Sequence, residues 1–310
     1  MTRIAFLGTP GAAVPALRAL AEEGIEAVFC NPDRPAGRGR HLEAPPVKVA
    51  ARELDLPLHQ PLSWKASETR ELWESLQIDL AVVVAYGHIL PRWMLDTCPN
   101  GVWNLHFSLL PRWRGAAPVN HALLAGDEET GVSLMRITPG LDEGPVLAQS
   151  HRPISHESTA EGLLSELAAD AADLLMDQLP LLLSGAAHPV EQPHELSTYA
   201  SKLSKDMGHM DWRRSAADLH RQVRALWPWP GTDLRMEGQV LKVCGVGALR
   251  TCYREPGQLL WDKEGAWLVT AEGSLELTQL QRPGKPVQPA LQALQPWGAS
   301  GSRSLESFPS

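Results

Sequence analysis

The chain has little cysteine: among 310 residues there are four, Cys30, Cys98, Cys244 and Cys252, and no two form a Cys-x-x-Cys pair. Thiols scattered in this way read as reduced and buried, which argues against a disulfide framework or a zinc site. Long apolar runs are missing too, since none approaches the roughly 18 residues of a membrane span. The amino-terminal stretch Arg3-Ile4-Ala5-Phe6-Leu7-Gly8 reaches Gly and Pro too soon for a signal peptide. A cytoplasmic protein without membrane contact is therefore expected. Tyrosine is scarce, three residues against eleven tryptophans, and tryptophans in this number are expected to pack cores and grooves. Positive charge is in deficit, 28 Lys and Arg against 36 Asp and Glu, a formal charge of −8. The deficit lies in residues 1–190, with 14 basic and 23 acidic groups, while residues 191–310 hold 14 and 13. A polyanionic partner would have to be met by local basic clusters.

What is present suggests two domains, because the length and apolar content can bury more than one core. The run from Arg3 to Leu7 reads as a strand, and Val14, Leu17 and Leu20 recur at helical spacing after it. Thr9 before Pro10 suits a helix N-cap. Gly8-Thr9-Pro10-Gly11 lacks the G-x-G-x-x-G spacing of a dinucleotide site, so no nicotinamide cofactor is expected. Helical spacing recurs over Pro46 to Leu54, Glu68 to Leu76, Ala116 to Ala125 and Ser158 to Leu183, the last opening on a possible Ser158/Glu161 capping box. The unbroken apolar run Leu80 to Ala85 predicts a strand of a parallel sheet covered on both faces. Strands are also expected at Val132 to Ile137 and Val146 to His151. Residues 186–205 are rich in Pro, His and Ser and read as a linker. Beyond them an amphipathic helix, Ser215 to Leu226, precedes short strands with glycine turns, the pattern of a small barrel. From Gly298 onward the chain reads as a frayed tail.

The chemistry concentrates in Gly101-Val102-Trp103-Asn104-Leu105-His106-Phe107-Ser108-Leu109-Leu110-Pro111-Arg112-Trp113-Arg114-Gly115. Strand alternation puts Val102, Asn104 and His106 on one face, so an amide and an imidazole share a strand end, where open α/β sheets bind ligands. Downstream, Gly140-Leu141-Asp142-Glu143-Gly144 is a turn-rich acidic loop. Asp142 is expected to reach His106 across neighbouring strand ends and orient its ring. Taken alone, a strand-end histidine and a loop aspartate serve as often to satisfy turns as to catalyse. A second cluster, Arg34, Arg38 and Arg40 with Gly37 and Gly39, forms a supple loop whose guanidinium forks match phosphate oxygens.

Asn-x-His-x-Ser-Leu-Leu-Pro-x-x-Arg-Gly followed by Leu-Asp-x-Gly resembles the folate-dependent formyltransferases. The resemblance continues through Asn31-Pro32-Asp33-Arg34-Pro35-Ala36-Gly37-Arg38-Gly39-Arg40, Val82-Val83-Val84-Ala85-Tyr86-Gly87-His88-Ile89-Leu90-Pro91, Lys202-Leu203-Ser204-Lys205 and Trp227-Pro228-Trp229-Pro230-Gly231, covering nearly the whole chain. It implies a Rossmann-like, doubly wound, mostly parallel α/β domain over residues 1–185, a linker over 186–205, and a small OB-like β-barrel over 206–310 that binds tRNA. It implies metal-independent transfer of a formyl group from 10-formyltetrahydrofolate to the amino group of methionyl initiator tRNA by a monomer. The catalytic residues it implies are Asn104, His106 and Asp142, with Ser108, Leu109, Leu110, Pro111, Tyr86, Gly87 and Ile89 at the folate. Arg34, Arg38, Arg40, Lys202 and Lys205 would meet tRNA, while Arg112 and Arg114 could meet either the folate tail or RNA. Phe107 and a weakly basic carboxyl end depart from the family pattern. Two other readings stay open: a relative acting on a small amine such as an amino sugar nucleotide, and an RNA-binding protein that keeps the scaffold without turnover.

Overall fold

The computed structural model describes residues 2–36 and 41–308. Its elements run β1 (Ile4–Gly8), α1 (Val14–Ala21), β2 (Ala27–Phe29), β3 (Arg34–Ala36), β4 (His41–Glu43), α2 (Pro46–Glu53), β5 (Leu58–His59), α3 (Ser67–Leu76), β6 (Leu80–Val84), α4 (Arg92–Asp96), β7 (Val102–His106), β8 (Arg114–Gly115), α5 (Pro118–Ala125), β9 (Glu129–Arg136), β10 (Val146–Pro153), α6 (Ala160–Ser184), β11 (Tyr199–Ala200), α7 (Ala216–Leu226), β12 (Thr232–Met236), β13 (Gln239–Arg250), β14 (Gln258–Asp262), β15 (Gly265–Val269), β16 (Ser274–Gln281), β17 (Gln288–Pro289), α8 (Ala290–Leu294) and β18 (Gly301–Ser304). The chain divides into two compact units. One holds residues 1–118, 129–153 and 163–200; the other holds 119–128, 154–162 and 201–310. Among the described residues no helix is long and apolar enough to cross a membrane.

The first unit is built on a seven-stranded sheet in the order β10-β9-β7-β6-β1-β2-β5. β5, β2, β1, β6 and β7 are parallel, and β9 and β10 complete one side antiparallel. This is the doubly wound α/β architecture. The chain builds outward from β1 through β2 to β5, then crosses to β6 and β7, so the switch point lies between β1 and β6. All five residues of β1 and of β6 are buried, as a sheet covered on both faces requires. Phe29, Trp64, Trp73 and Tyr86 form one aromatic cluster in this core.

The second unit is an antiparallel sheet ordered β12-β13-β16-β15-β14-β18, with β17 beside β16. A bridge between Arg235 and Glu306 returns from the end of β18 to β12 and closes the ring. The carboxyl-terminal segment expected to fray is thus the stave that completes the barrel. Its main chain satisfies two strand edges that would otherwise present unpaired N–H and C=O groups. Glu306 N–H donates to the Arg235 carbonyl at 2.8 Å, and the Glu306 carboxylate accepts from Gly238 N–H at 2.7 Å.

Two expected caps differ. Thr9 does not cap α1, because its hydroxyl donates to the Tyr86 carbonyl at 3.3 Å and accepts from the Asn31 amide at 3.0 Å. The long helix begins at Ala160, and Thr159, not Ser158, accepts from the Gly162 N–H at 3.2 Å. Ser158 is occupied with Ser155, whose N–H it accepts at 3.0 Å. In both cases the hydroxyl lies short of the first helical turn and is engaged by another partner.

Candidate active site

β7 carries the site because its alternation holds in the structure: Asn104 and His106 share a face, with Leu105 buried on the other. β6 lies on one side of it, parallel, and β9 on the other, antiparallel, with His106 opposite Ser133. This arrangement changes the route by which Asp142 arrives. Since β9 is antiparallel, its carboxyl end lies beside Trp103 and not beside His106. The loop leaving it must fold back to bring its carboxylate to the ring. It does so: Asp142 Oδ2 stands 3.7 Å from His106 Nδ1, beyond hydrogen-bond length but well within ion-pair reach.

The loop that follows β7 holds both partners. His106 Nε2 lies 2.9 Å from the Trp113 carbonyl, and since a carbonyl only accepts, Nε2 carries a proton. Nδ1 is left as the ring atom that faces Asp142. Gly115 N–H donates to Asp142 Oδ2 at 2.8 Å. Trp113 itself has φ +62°, a conformation unusual for a bulky residue. It is held there by its N–H, which donates to the Thr198 hydroxyl at 2.9 Å. Asp142, at φ +50°, uses the left-handed tolerance of aspartate. Asn104 is half-buried, and its side-chain amide makes no hydrogen bond with the described residues. An unspent donor on the same strand face as the ring is available to a ligand.

Ser108, Leu109, Leu110 and Pro111 follow as a fixed turn. The Ser133 hydroxyl accepts from Leu110 N–H at 3.0 Å and donates to the Ser108 carbonyl at 2.6 Å, while Gln149 donates to the Leu110 carbonyl at 3.0 Å. The Ser108 hydroxyl is fully buried and donates to the Arg112 carbonyl at 2.6 Å, so it shapes the turn and is not free to meet a ligand. Tyr86 is likewise core: 2% exposed, its hydroxyl accepts from Trp64 Nε1 at 3.1 Å, and burial pushes the phenol up to about 12. Of the folate candidates after β6, Gly87 and Ile89 are exposed, Ile89 at 89%.

The Arg114 guanidinium is committed inside the first unit. It is 1% exposed, donating through Nε and Nη2 to Gln192 Oε1 at 3.0 and 2.8 Å, with Nη1 3.3 Å from His194 Nδ1. Arg112 is exposed, with its guanidinium 4.4 Å from the Trp113 ring centroid. Arg34 is exposed in β3, and Lys202 and Lys205 are exposed in the other unit. Arg38 and Arg40 lie outside the described residues. Among the described residues, no group of three or more His, Cys, Asp or Glu stands ready to hold a metal ion.

Sequence pattern assigns no role to Gln192, Ser133, Gln149 or the pair Asn31 and His88. Asn31, 8% exposed, donates to Thr9 and to the Tyr86 carbonyl and accepts from His88 Nε2. Gln192 and Gln149 gave no signal, because an isolated glutamine in a loop or edge strand has no periodicity to mark it. Ser133 stands opposite His106 only through the antiparallel register of β9 against β7, which the folded sheet decides.

A family model described as formyl transferase matches residues 2–179, and one described as formyl transferase, C-terminal domain, matches residues 202–296. A methionyl-tRNA formyltransferase of Halorhodospira halophila is 48% identical over 289 residues, 91% of this chain and 92% of its own. One from Hydrogenovibrio crunogenus is 44% identical over 293 residues, 93% and 94% of the two chains. Among solved structures, an N-formyltransferase from Helicobacter canadensis, in complex with folinic acid and dTDP-3-aminofucose, matches with a TM-score of 0.69 at 18% identity over 91% of this chain and 100% of that one. HypX from Aquifex aeolicus matches with a TM-score of 0.65 at 18% identity over 95% of this chain. This chain covers 48% of that HypX chain, about half its length. At such identities the two structures speak for the fold, whereas the two family matches run through both units. The chain belongs to the formyltransferase family.

Proposed function

We propose that this chain transfers the formyl group of 10-formyltetrahydrofolate to the free α-amino group of methionyl initiator tRNA, giving N-formylmethionyl-tRNA for translation initiation. The observation that carries the chemistry is the meeting of His106 Nδ1 and Asp142 Oδ2 at 3.7 Å beside the uncommitted amide of Asn104. Similarity to methionyl-tRNA formyltransferases over nine-tenths of the chain supports the choice of acceptor.

Attack of the amine nitrogen on the formyl carbon makes the formyl oxygen an oxyanion. Donors placed for that charge lower the barrier, and losing one typically costs roughly 3–4 kcal/mol. Asn104 supplies one donor. With Nε2–H spent on the Trp113 carbonyl, His106 can supply another only from Nδ1, which requires a charged ring. Asp142, directly or through water, then takes the proton released by the amine, and N10 receives it as the carbon–N10 bond breaks. An α-amine with a pKa of about 7.7–8.0 is partly neutral at pH 7, so no strong base and no covalent enzyme intermediate are needed.

Residues 1–185 carry the catalytic groups in this reading, residues 186–200 pack into the same unit as their supports, and residues 206–310 bind tRNA. Leu109, Leu110, Pro111, Gly87 and Ile89 border the folate, with Ser108 and Tyr86 shaping the walls from within. Arg34, Arg38, Arg40, Lys202 and Lys205 meet tRNA phosphates. The protein acts as a monomer in the cytoplasm, and sedimentation at micromolar concentration tests the former. The deciding experiment supplies 10-formyltetrahydrofolate and methionyl-tRNA. Formyl-methionyl-tRNA is expected; formylation of an amino sugar nucleotide without any RNA, or folate binding without turnover, overturns the reading. Arg38→Ala is expected to weaken tRNA use and spare folate binding.

A further inference from the structure

We infer that Gln192 is a positioning residue that sets the His106–Asp142 geometry. It lies 50 residues downstream of Asp142, yet its amide spans the site's supports. Nε2 donates to the Asp142 carbonyl at 2.9 Å and to the Gly144 carbonyl at 2.7 Å, while Oε1 accepts twice from Arg114. A glutamine has two amide hydrogens and two acceptor lone pairs, and here all four are used. The side chain is buried, 5% exposed.

The consequence follows from what each contact restrains. On one side Gln192 fixes the main chain of Asp142 and Gly144, the loop that had to fold back across β9. On the other it fixes Arg114, which lies between Trp113 and Gly115. Those neighbours are the two that grip the reacting pair: the Trp113 carbonyl holds the ring, and Gly115 N–H holds the carboxylate. β11 strengthens the same tie by pairing with β8, Tyr199 opposite Arg114 and Ala200 opposite Gly115. One amide therefore joins the loop that carries the carboxylate to the loop that orients the ring. Catalytic groups must be held within about 0.5 Å of productive geometry, and a displacement of about 1 Å can cost 10²-fold in rate.

The inference rests on the formyl-transfer reading for its kinetic arm but not for its structural arm. Gln192→Glu separates positioning from simple burial of Arg114. The carboxylate pairs with the guanidinium at least as well, but it has no hydrogens for the two carbonyls and repels them. If Gln192 served only to satisfy Arg114, this variant would behave as the parent protein. The expectation is a kcat lowered by about 10-fold to 10²-fold, with KM for both substrates changed by less than about three-fold. In the free protein, the His106 ring and Gly115 amide cross-peaks should move in NMR spectra. Should Gln192→Glu fail to fold, Gln192→Asn keeps the amide but is one methylene too short to reach both sides, and the same shifts are expected. Parental kcat, unmoved cross-peaks, or a loss confined to KM overturns the inference. A parent protein that does not formylate methionyl-tRNA overturns the functional reading instead, and the cross-peaks then decide the role of Gln192 alone.

Discussion

Replacing Asp142 by asparagine removes the charge and the proton acceptor while keeping the shape, which makes it a direct probe of the proposed mechanism. The shapes match, and the asparagine oxygen can still accept from Gly115 N–H, now made to Asp142 at 2.8 Å. What is lost besides the proton acceptor is the attraction between the carboxylate and the charged ring of that mechanism, at 3.7 Å. At that distance and an effective dielectric constant of about 20, a full pair is worth roughly 4–5 kcal/mol. The side chains are 7% and 18% exposed, so solvent screens part of it, leaving about 2–3 kcal/mol in the transition state. The expected loss is about 10²-fold in the rate of formyl transfer. Single-turnover measurement with both substrates prebound isolates that step from binding and release, and a thermal melt checks the fold. A rate within about three-fold of the parent, with an unchanged melt, refutes the electrostatic argument. A loss seen only in KM would make Asp142 a binding residue and refute it equally.

Three further outcomes follow from other contacts. Gly115→Ala places a Cβ 2.5 Å from the Ala200 carbonyl oxygen at a position with φ +116°, and calorimetry should find a loss of about 2–5 kcal/mol together with slower transfer. Ser133→Ala frees the Ser108–Leu110 turn, so KM for 10-formyltetrahydrofolate should rise about ten-fold while KM for tRNA holds; an unchanged folate KM separates the turn from the pocket. In the second unit, burial and the nearby Arg224, His156 and Arg221 push His220 down to about 4. Its unfolded value, near 6.5, is higher, so the unfolded chain takes up the proton first and stability falls as pH drops from about 6.5 toward 4, by about 2 kcal/mol after screening. Denaturant titrations of His220→Gln should show a flatter dependence in that window, and an identical slope would remove His220 as its source.

The family motif was legible because its residues are close in sequence and their strand alternation fixes the face they share. Asn104 and His106 needed only the period of a strand. Leu80 to Val84 announced a doubly covered parallel strand by being wholly apolar, and the amphipathic pattern of α7 located that helix to within a residue. Less was visible where partners are distant. The pattern around Asp142 marked a loop but not that β9 runs antiparallel, so the path of the carboxylate to the ring was misjudged. β12 and β14 went unnoticed, and the Ser- and Gly-rich segment after Gly298 looked frayed, because a strand that closes a barrel is selected by two open edges and not by its own side chains.

Local order, then, was decided by the sequence: where strands and helices run, which face of β7 is polar, and which family the chain joins. Tertiary structure alone decided which groups remain free to act. It turned Tyr86, Ser108 and Arg114, all plausible ligands' partners on paper, into buried supports with their hydrogen bonds already made. It left Asn104 unspent and brought Gln192 into the middle of the site. The physical reason is that periodicity reports the surroundings of a residue averaged over its own element, whereas hydrogen-bond saturation depends on atoms that only the folded chain brings within 3 Å.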